Sequence, residues 1–206
     1  MRRQKKLVPI LMILCMILFT GCRRQPDSYS HTDFAMGTVT NITLYGTGDL
    51  EEKEKNIIEE VKNLEDTISW RIEDSQLSKM NRELKENHGK AKASGDMIRW
   101  ISQSLELSRD SYADGRNTVD PAIGTLTRLW DFESKDPKVP EASAIQKALE
   151  GNLAVNSSNI DIDKSGNIIA ENKNTAFDLG AFGKGIGTDV VKEPLEKDDG
   201  ITRAMI

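Results

Sequence analysis

Residues 178–185 read Asp178-Leu179-Gly180-Ala181-Phe182-Gly183-Lys184-Gly185. The apolar pair Ala176-Phe177 leads into an aspartate, three glycines surround a lysine, and a helical pattern follows. Each glycine inside regular structure costs backbone entropy, so such a run restricts what can be built around it. The pattern predicts a strand ending at Asp178, a turn opened for close backbone approach, and a helix from Gly185. Glycines remove side-chain bulk, a helix N-terminus offers free N–H groups, and the lysine adds a point charge, a combination that suits phosphate. The run is neither GxGxxG nor GxxxxGK[ST], and read alone it is equally a tight turn. Asp178 can hold a polar group of a ligand or cap that turn.

The N-terminus carries Arg2, Arg3, Lys5 and Lys6 before the apolar run Leu7–Phe19, which is too short to span a bilayer comfortably. Leu18-Phe19-Thr20-Gly21-Cys22 follows and resembles a bacterial lipobox, with Phe19 where an aliphatic residue is usual. That resemblance implies a signal peptide over 1–21, acylation of Cys22 and a lipid-anchored protein on the extracytoplasmic face of a bacterial membrane. A plain secretory signal or a membrane anchor helix is the alternative. Loss of residues 1–21 removes four of the 28 basic residues and none of the 33 acidic ones, shifting net charge from −5 to about −9. Such a balance argues against nucleic acid as a partner. Cys15 falls in the apolar run and Cys22 is the anchor, so the body has no thiol chemistry. With two histidines, a Ser-His-Asp triad or a multi-histidine zinc site is excluded as a working expectation. Oxygen ligands remain, which suit Mg²⁺ or Ca²⁺.

Residues 22–32 are polar and read as a tether, leaving 33–206 for the folded body. Phe34–Tyr45 is β-rich. Asp49 can cap a helix to about Ile68, where Ile57, Val61, Leu64 and Ile68 form one stripe. A loop at Trp70-Arg71 precedes a short helix from Ser75. A second long helix is predicted over Ser94–Tyr112, ended by Gly115, and a short helical segment from Asp120-Pro121 to Trp130. Ala142–Leu149 reads as a helix, and Ile160–Ile162 with Ile168–Ala170 as a hairpin around Lys164-Ser165-Gly166. Pro194 is expected to kink or stop the helix from Gly185, and Ile201–Ile206 to begin a strand. The class is α+β.

Four segments carry a resemblance in order and spacing: Ala35-Met36-Gly37-Thr38; Ser69-Trp70-Arg71 through Lys79-Met80-Asn81; Asp120-Pro121-Ala122-Ile123-Gly124 through Trp130-Asp131-Phe132; and Asp178–Gly185. Together they resemble the ApbE family of FAD:protein FMN transferases, over roughly residues 33–206. The resemblance implies an ApbE-like, T-fold-like mixed sheet with packed helices. It implies a Mg²⁺-dependent enzyme that splits FAD, passes FMN to a threonine or serine hydroxyl of an acceptor protein and releases AMP. Some members instead hydrolyse FAD to FMN and AMP. Carried over by motif, Met36 contacts the flavin, Trp70 packs beside it, and Thr118, Val119 and Asp120 line the FAD site. Asp178 holds a polar group of the cofactor, Lys184 lies near it, and the Ala181 carbonyl faces Mg²⁺. The expected partners are FAD, an acceptor protein and, through Cys22, the membrane. Family members continue well beyond the equivalent of Ile206, with an asparagine/glycine-rich turn and an Asp…Thr segment that supplies other Mg²⁺ ligands. The chain is therefore expected to lack the C-terminal part, and to bind FAD weakly or not at all by itself. From another class, a non-catalytic flavin- or solute-binding lipoprotein is the alternative. Arg71 and Asn81 can equally be loop hydrogen-bonders, and Trp130 core filler.

Overall fold

The structure is a computed structural model that describes residues 26–93, 95–114, 116–132, 134–151 and 159–206. The expected signal segment and Cys22, and Ser94 and Gly115 at the expected helix boundaries, lie outside the described residues. The architecture is the expected mixed α+β class, with six helices and small antiparallel sheets among the described residues.

The β-rich N-terminal stretch is two strands. β1 (Asp27–Ala35) pairs antiparallel with β2 (Thr38–Gly46), from Asp27 opposite Gly46 to Ala35 opposite Thr38. Residues 27–32, expected in the tether, are thus the outer half of β1. Met36 and Gly37 form the two-residue turn, with φ of +52° and +68°. Two successive positive φ angles match the right-handed strand twist, which is why glycine is favoured here and methionine is strained.

α1 (Leu50–Ile68) starts where expected: the Asp49 side chain accepts from the Glu52 N–H at 3.0 Å. Its stripe of Leu50, Ile57, Ile58, Val61, Leu64 and Ile68 is buried. α2 (Gln76–Glu86) is capped by Ser75, whose Oγ accepts from the Ser78 N–H. β3 (Lys90–Lys92) is an element that the periodicity did not announce. α3 (Asp96–Asp110) is shorter than expected, because Tyr112 turns into a small ribbon, β4 (Tyr112–Ala113) with β5 (Arg116–Asn117).

α4 (Gly124–Trp130) begins four residues later than expected. Asp120 instead makes a local turn, accepting from the Ala122 N–H at 2.8 Å. α5 (Ala142–Gly151) follows, then the hairpin of β6 (Ile160–Ile162) and β7 (Asn167–Ala170), whose turn is held by Asp163 accepting from the Ser165 and Asn167 N–H groups. β3, β7 and β6 form one three-stranded sheet.

The expected strand into Asp178 is only a single parallel bridge, Ala176 beside Ile123. The expected glycine loop is helix: α6 (Gly180–Lys197) begins at Gly180, not Gly185. It also runs through Pro194 without stopping there. β8 (Ile201–Met205) then pairs antiparallel with β2, giving the sheet order β1-β2-β8.

Two apolar clusters result. One packs the β1–β2 sheet against the first half of α1 and against Val191. The other joins the end of α1, α2, α3, the β6–β7 hairpin, Phe177 and Ile186. Met36 packs against both, so the hairpin turn is wedged at their junction.

Candidate functional site

The site is built around the segment that precedes α6. Phe177 is fully buried, and both of its backbone polar groups are taken by one side chain of α2. Asn81 Oδ1 accepts from the Phe177 N–H at 2.7 Å, and Asn81 Nδ2 donates to the Phe177 carbonyl at 2.9 Å. A buried amide group without a partner is costly, so this clamp takes the place of the missing sheet ladder. The Asp178 N–H donates to the Pro121 carbonyl at 2.8 Å, which ties the segment to the turn before α4.

The Asp178 carboxylate has two partners. Oδ2 accepts from Thr127 Oγ on α4 at 2.7 Å, and Oδ1 accepts from the Gly180 N–H at 2.8 Å. The second contact is a local aspartate turn at the entrance of α6, the capping role left open by the sequence. A negative charge there is also favoured by the partial positive charge of the helix N-terminus.

The glycines serve packing rather than a loop. A Cβ on Gly183 would lie 3.1 Å from Met36 Cε and 3.7 Å from Ile68 Cδ1, and one on Gly187 would lie 3.5 Å from Met36 Sδ and 3.7 Å from Leu64 Cδ2. Residues four apart share a helix face, so these two glycines flatten α6 where the hairpin turn and α1 approach. The Met36 N–H donates to Glu65 Oε2 at 2.7 Å, which fixes the strained turn to the last part of α1.

A cleft opens between these parts, lined by Met36, Glu65, Trp70, Arg71, Asp178 and Lys184, with the Gly180 and Gly183 backbone at its floor. Of the residues proposed from sequence, Met36, Trp70, Asp178 and Lys184 are brought together here. Trp70 carries cations: the Arg71 guanidinium carbon is 4.3 Å from its ring centroid and that of Arg128 is 5.4 Å away. Both distances are within cation–π range. Arg71 also pairs with Asp131 at 3.0 Å. Desolvation lowers the Arg128 pKa and the Asp178 charge opposes that shift. The residue as a whole is exposed, and its guanidinium stays charged at neutral pH.

Thr118, Val119 and Asp120 do not line this cleft. Thr118 Oγ1 donates to the Ser111 carbonyl at 3.0 Å, the Val119 N–H to Ser111 Oγ at 3.1 Å, and Ser108 Oγ to the Val119 carbonyl at 2.7 Å. Thr118 and Val119 are thus fastened to the C-terminal end of α3, and the turn that Asp120 starts is tied to Asp178 through the Pro121 carbonyl. Ala181 is on the other side of α6, in a separate depression between α3 and α6 that Trp100 also lines.

The donor set does not make a Mg²⁺ shell. Asp178 and Glu65 are the carboxylates in the cleft, and both already accept hydrogen bonds. Ala181 is in the first turn of a helix and faces elsewhere. Among the described residues no three His, Cys, Asp or Glu side chains are grouped to hold a metal. Mg²⁺ demands near-ideal octahedral oxygen geometry, which these residues do not supply.

Three contributors escaped the sequence reading. Thr127 and Arg128 lie inside the quoted Asp120–Phe132 segment, but only the placement of α4 aims them at Asp178 and Trp70. Glu65 had a partial signal: it is one of three polar residues between Leu64 and Ile68 at the end of the buried stripe. Asn81 was noted as a hydrogen-bonder, though its partner 96 residues away was not readable.

Comparison with known proteins gives a family and a fold. The family model described as ApbE family matches residues 36–206. Among solved structures, an ApbE protein from Thermotoga maritima MSB8 superposes with a TM-score of 0.71 at 21% identity, covering 87% of this chain and 56% of that one. The flavin transferase ApbE from Vibrio cholerae gives 0.72 at 21% identity, with 87% and 56% coverage. The apo form of the flavinyl transferase ApbE from Pseudomonas stutzeri gives 0.67 at 21% identity, with 87% and 58% coverage. The chain thus spans between half and three-fifths of the length of these structures. No curated protein matches it. Since the match runs from the Met36 turn through α6 to β8, the chain belongs to the ApbE family.

Proposed function

We propose that the chain forms the flavin-nucleotide-binding part of an FAD:protein FMN transferase. The observation that carries this reading is the convergence of Met36, Trp70, Asp178 and Lys184, from three distant segments, on one cleft. An indole ring suits a planar aromatic group by stacking, and Lys184 with the Arg71 guanidinium suits a pyrophosphate. Phosphoryl transfer needs positioning and charge neutralisation more than a covalent side-chain nucleophile, which agrees with a body free of cysteine and poor in histidine.

In the reaction proposed, the hydroxyl oxygen of an acceptor threonine or serine attacks the FMN-side phosphorus of FAD. The bond from that phosphorus to the bridging oxygen breaks, AMP leaves with that oxygen, and the hydroxyl proton passes to solvent. The cleft residues bind and orient the dinucleotide. Mg²⁺ dependence is what the family resemblance implies; the described residues do not by themselves fit the ion.

FAD binding by the purified chain without residues 1–21 tests the reading. Trp70→Ala and Lys184→Ala are each expected to weaken binding roughly tenfold. An affinity indifferent to both overturns it. Product analysis then separates two outcomes: flavin covalently held on an acceptor marks the transferase, whereas free FMN with AMP marks an FAD pyrophosphatase.

The lipid anchor at Cys22, and with it a place on the extracytoplasmic face of a bacterial membrane, belongs to the same proposal. It is supported by the sequence of residues 18–22. No helix among the described residues is long and apolar enough to cross a membrane.

A further inference from the structure

Arg128 is a cation without an ion-pair partner among the described residues, and it stands beside Trp70, which lines the cleft. It lies on α4, its guanidinium carbon is 5.4 Å from the Trp70 ring centroid, and it feels the charge of Asp178. Its neighbour Arg71 is engaged, stacked at 4.3 Å on the same ring and paired with Asp131. The Asp178 oxygens are taken by Thr127 and Gly180. Among the described residues no carboxylate pairs with Arg128, so none of its five N–H donors is spent on an ion pair. A guanidinium held over the aromatic ring of a cleft that Lys184 also lines is poised to grip an oxyanion in two-pronged fashion while the ring takes a planar group.

We propose that Arg128 is a specificity-determining residue that grips a phosphate of the bound dinucleotide and so selects phosphorylated flavin over the bare ring system. This rests on the flavin-nucleotide reading of the cleft. Asp178 has a part in it: its charge draws Arg128 towards the cleft without consuming its donors. The Thr127 hydroxyl bond keeps that carboxylate in place, on the same helix as Arg128.

The test compares FAD with riboflavin, which has the ring system and no phosphate, by fluorescence titration of wild type, Arg128→Gln and Arg128→Lys. Arg128→Gln is expected to lose roughly ten- to a hundredfold in FAD affinity, as befits a charge-assisted bond, while riboflavin affinity is unchanged. Arg128→Lys recovers part of the loss, and the salt dependence of FAD binding is shallower in Arg128→Gln than in wild type. Equal loss for both ligands would mean that Arg128 only props the Trp70 ring, and overturns the proposal; so does unchanged FAD affinity. Wild type that binds FAD while Arg128→Gln binds it equally well sinks this inference alone. Wild type that binds no FAD sinks the reading of the cleft as well.

Discussion

Two glycines show how the same residue answers to different neighbours. A Cβ on Gly124 would lie 2.7 Å from the Ala176 carbonyl oxygen and 2.9 Å from that of Phe177. Both are backbone atoms of the segment that delivers Asp178, so neither can give way cheaply. Gly124→Ala is expected to destabilise by about 1–3 kcal/mol in denaturant unfolding. A Cβ on Gly183 would meet the flexible tip of Met36 instead. There the helix gains about 0.5–1 kcal/mol from losing a glycine, so Gly183→Ala is expected within about 1 kcal/mol of wild type. Glu54 is a third case. It is 1% exposed, and its Oε1 has no hydrogen-bond partner. Burial raises its pKa, Asp33 adds to this, and His31, Lys55 and Lys62 oppose it. The native state therefore holds this proton more tightly than the unfolded chain does. The associated stability is present below the ordinary carboxylate value of 4.5 and is lost as pH rises through the raised native value. Glu54→Gln should narrow the difference in melting temperature between pH 4.5 and about pH 8; an unchanged difference contradicts that account.

Among the elements, those with a complete local signal were legible in the sequence. α1 has an aspartate cap and four apolar residues at helical spacing, and its bounds agree with that reading. The hairpin of β6 and β7 was marked by its Lys164-Ser165-Gly166 turn. The elements misread were those decided by distant neighbours. The glycines of α6 look like a loop locally, yet two of them are needed because Met36 and α1 press on that helix face. The segment before Asp178 has strand composition, but pairs with a side chain of α2 rather than with a strand. Asn81→Ala would strip both partners from the buried Phe177 backbone. It should cost about 2–4 kcal/mol by chemical unfolding, far more than removal of an exposed amide. A loss below about 0.5 kcal/mol would show that the clamp does not hold this segment.

For the molecule as a whole, the site was legible as residue types in motifs but not as a surface. Met36, Trp70, Asp178 and Lys184 were identified and do share a cleft. Thr118 and Val119 are fastened to the end of α3, Asp120 holds a local turn, and Ala181 lines a separate depression between α3 and α6. Motif spacing says which residues matter to a family, whereas the face of a helix on which each one lies depends on packing. The cleft thus combines an aromatic ring and cations with no grouped metal ligands among the described residues. We propose that this surface recognises a flavin dinucleotide by itself. Titration of FAD with the purified chain lacking residues 1–21, with and without Mg²⁺, tests it most directly. Saturable binding is expected in the micromolar range, roughly 8 kcal/mol or weaker, at the same affinity under both conditions. No binding, or binding only in the presence of Mg²⁺, would contradict it.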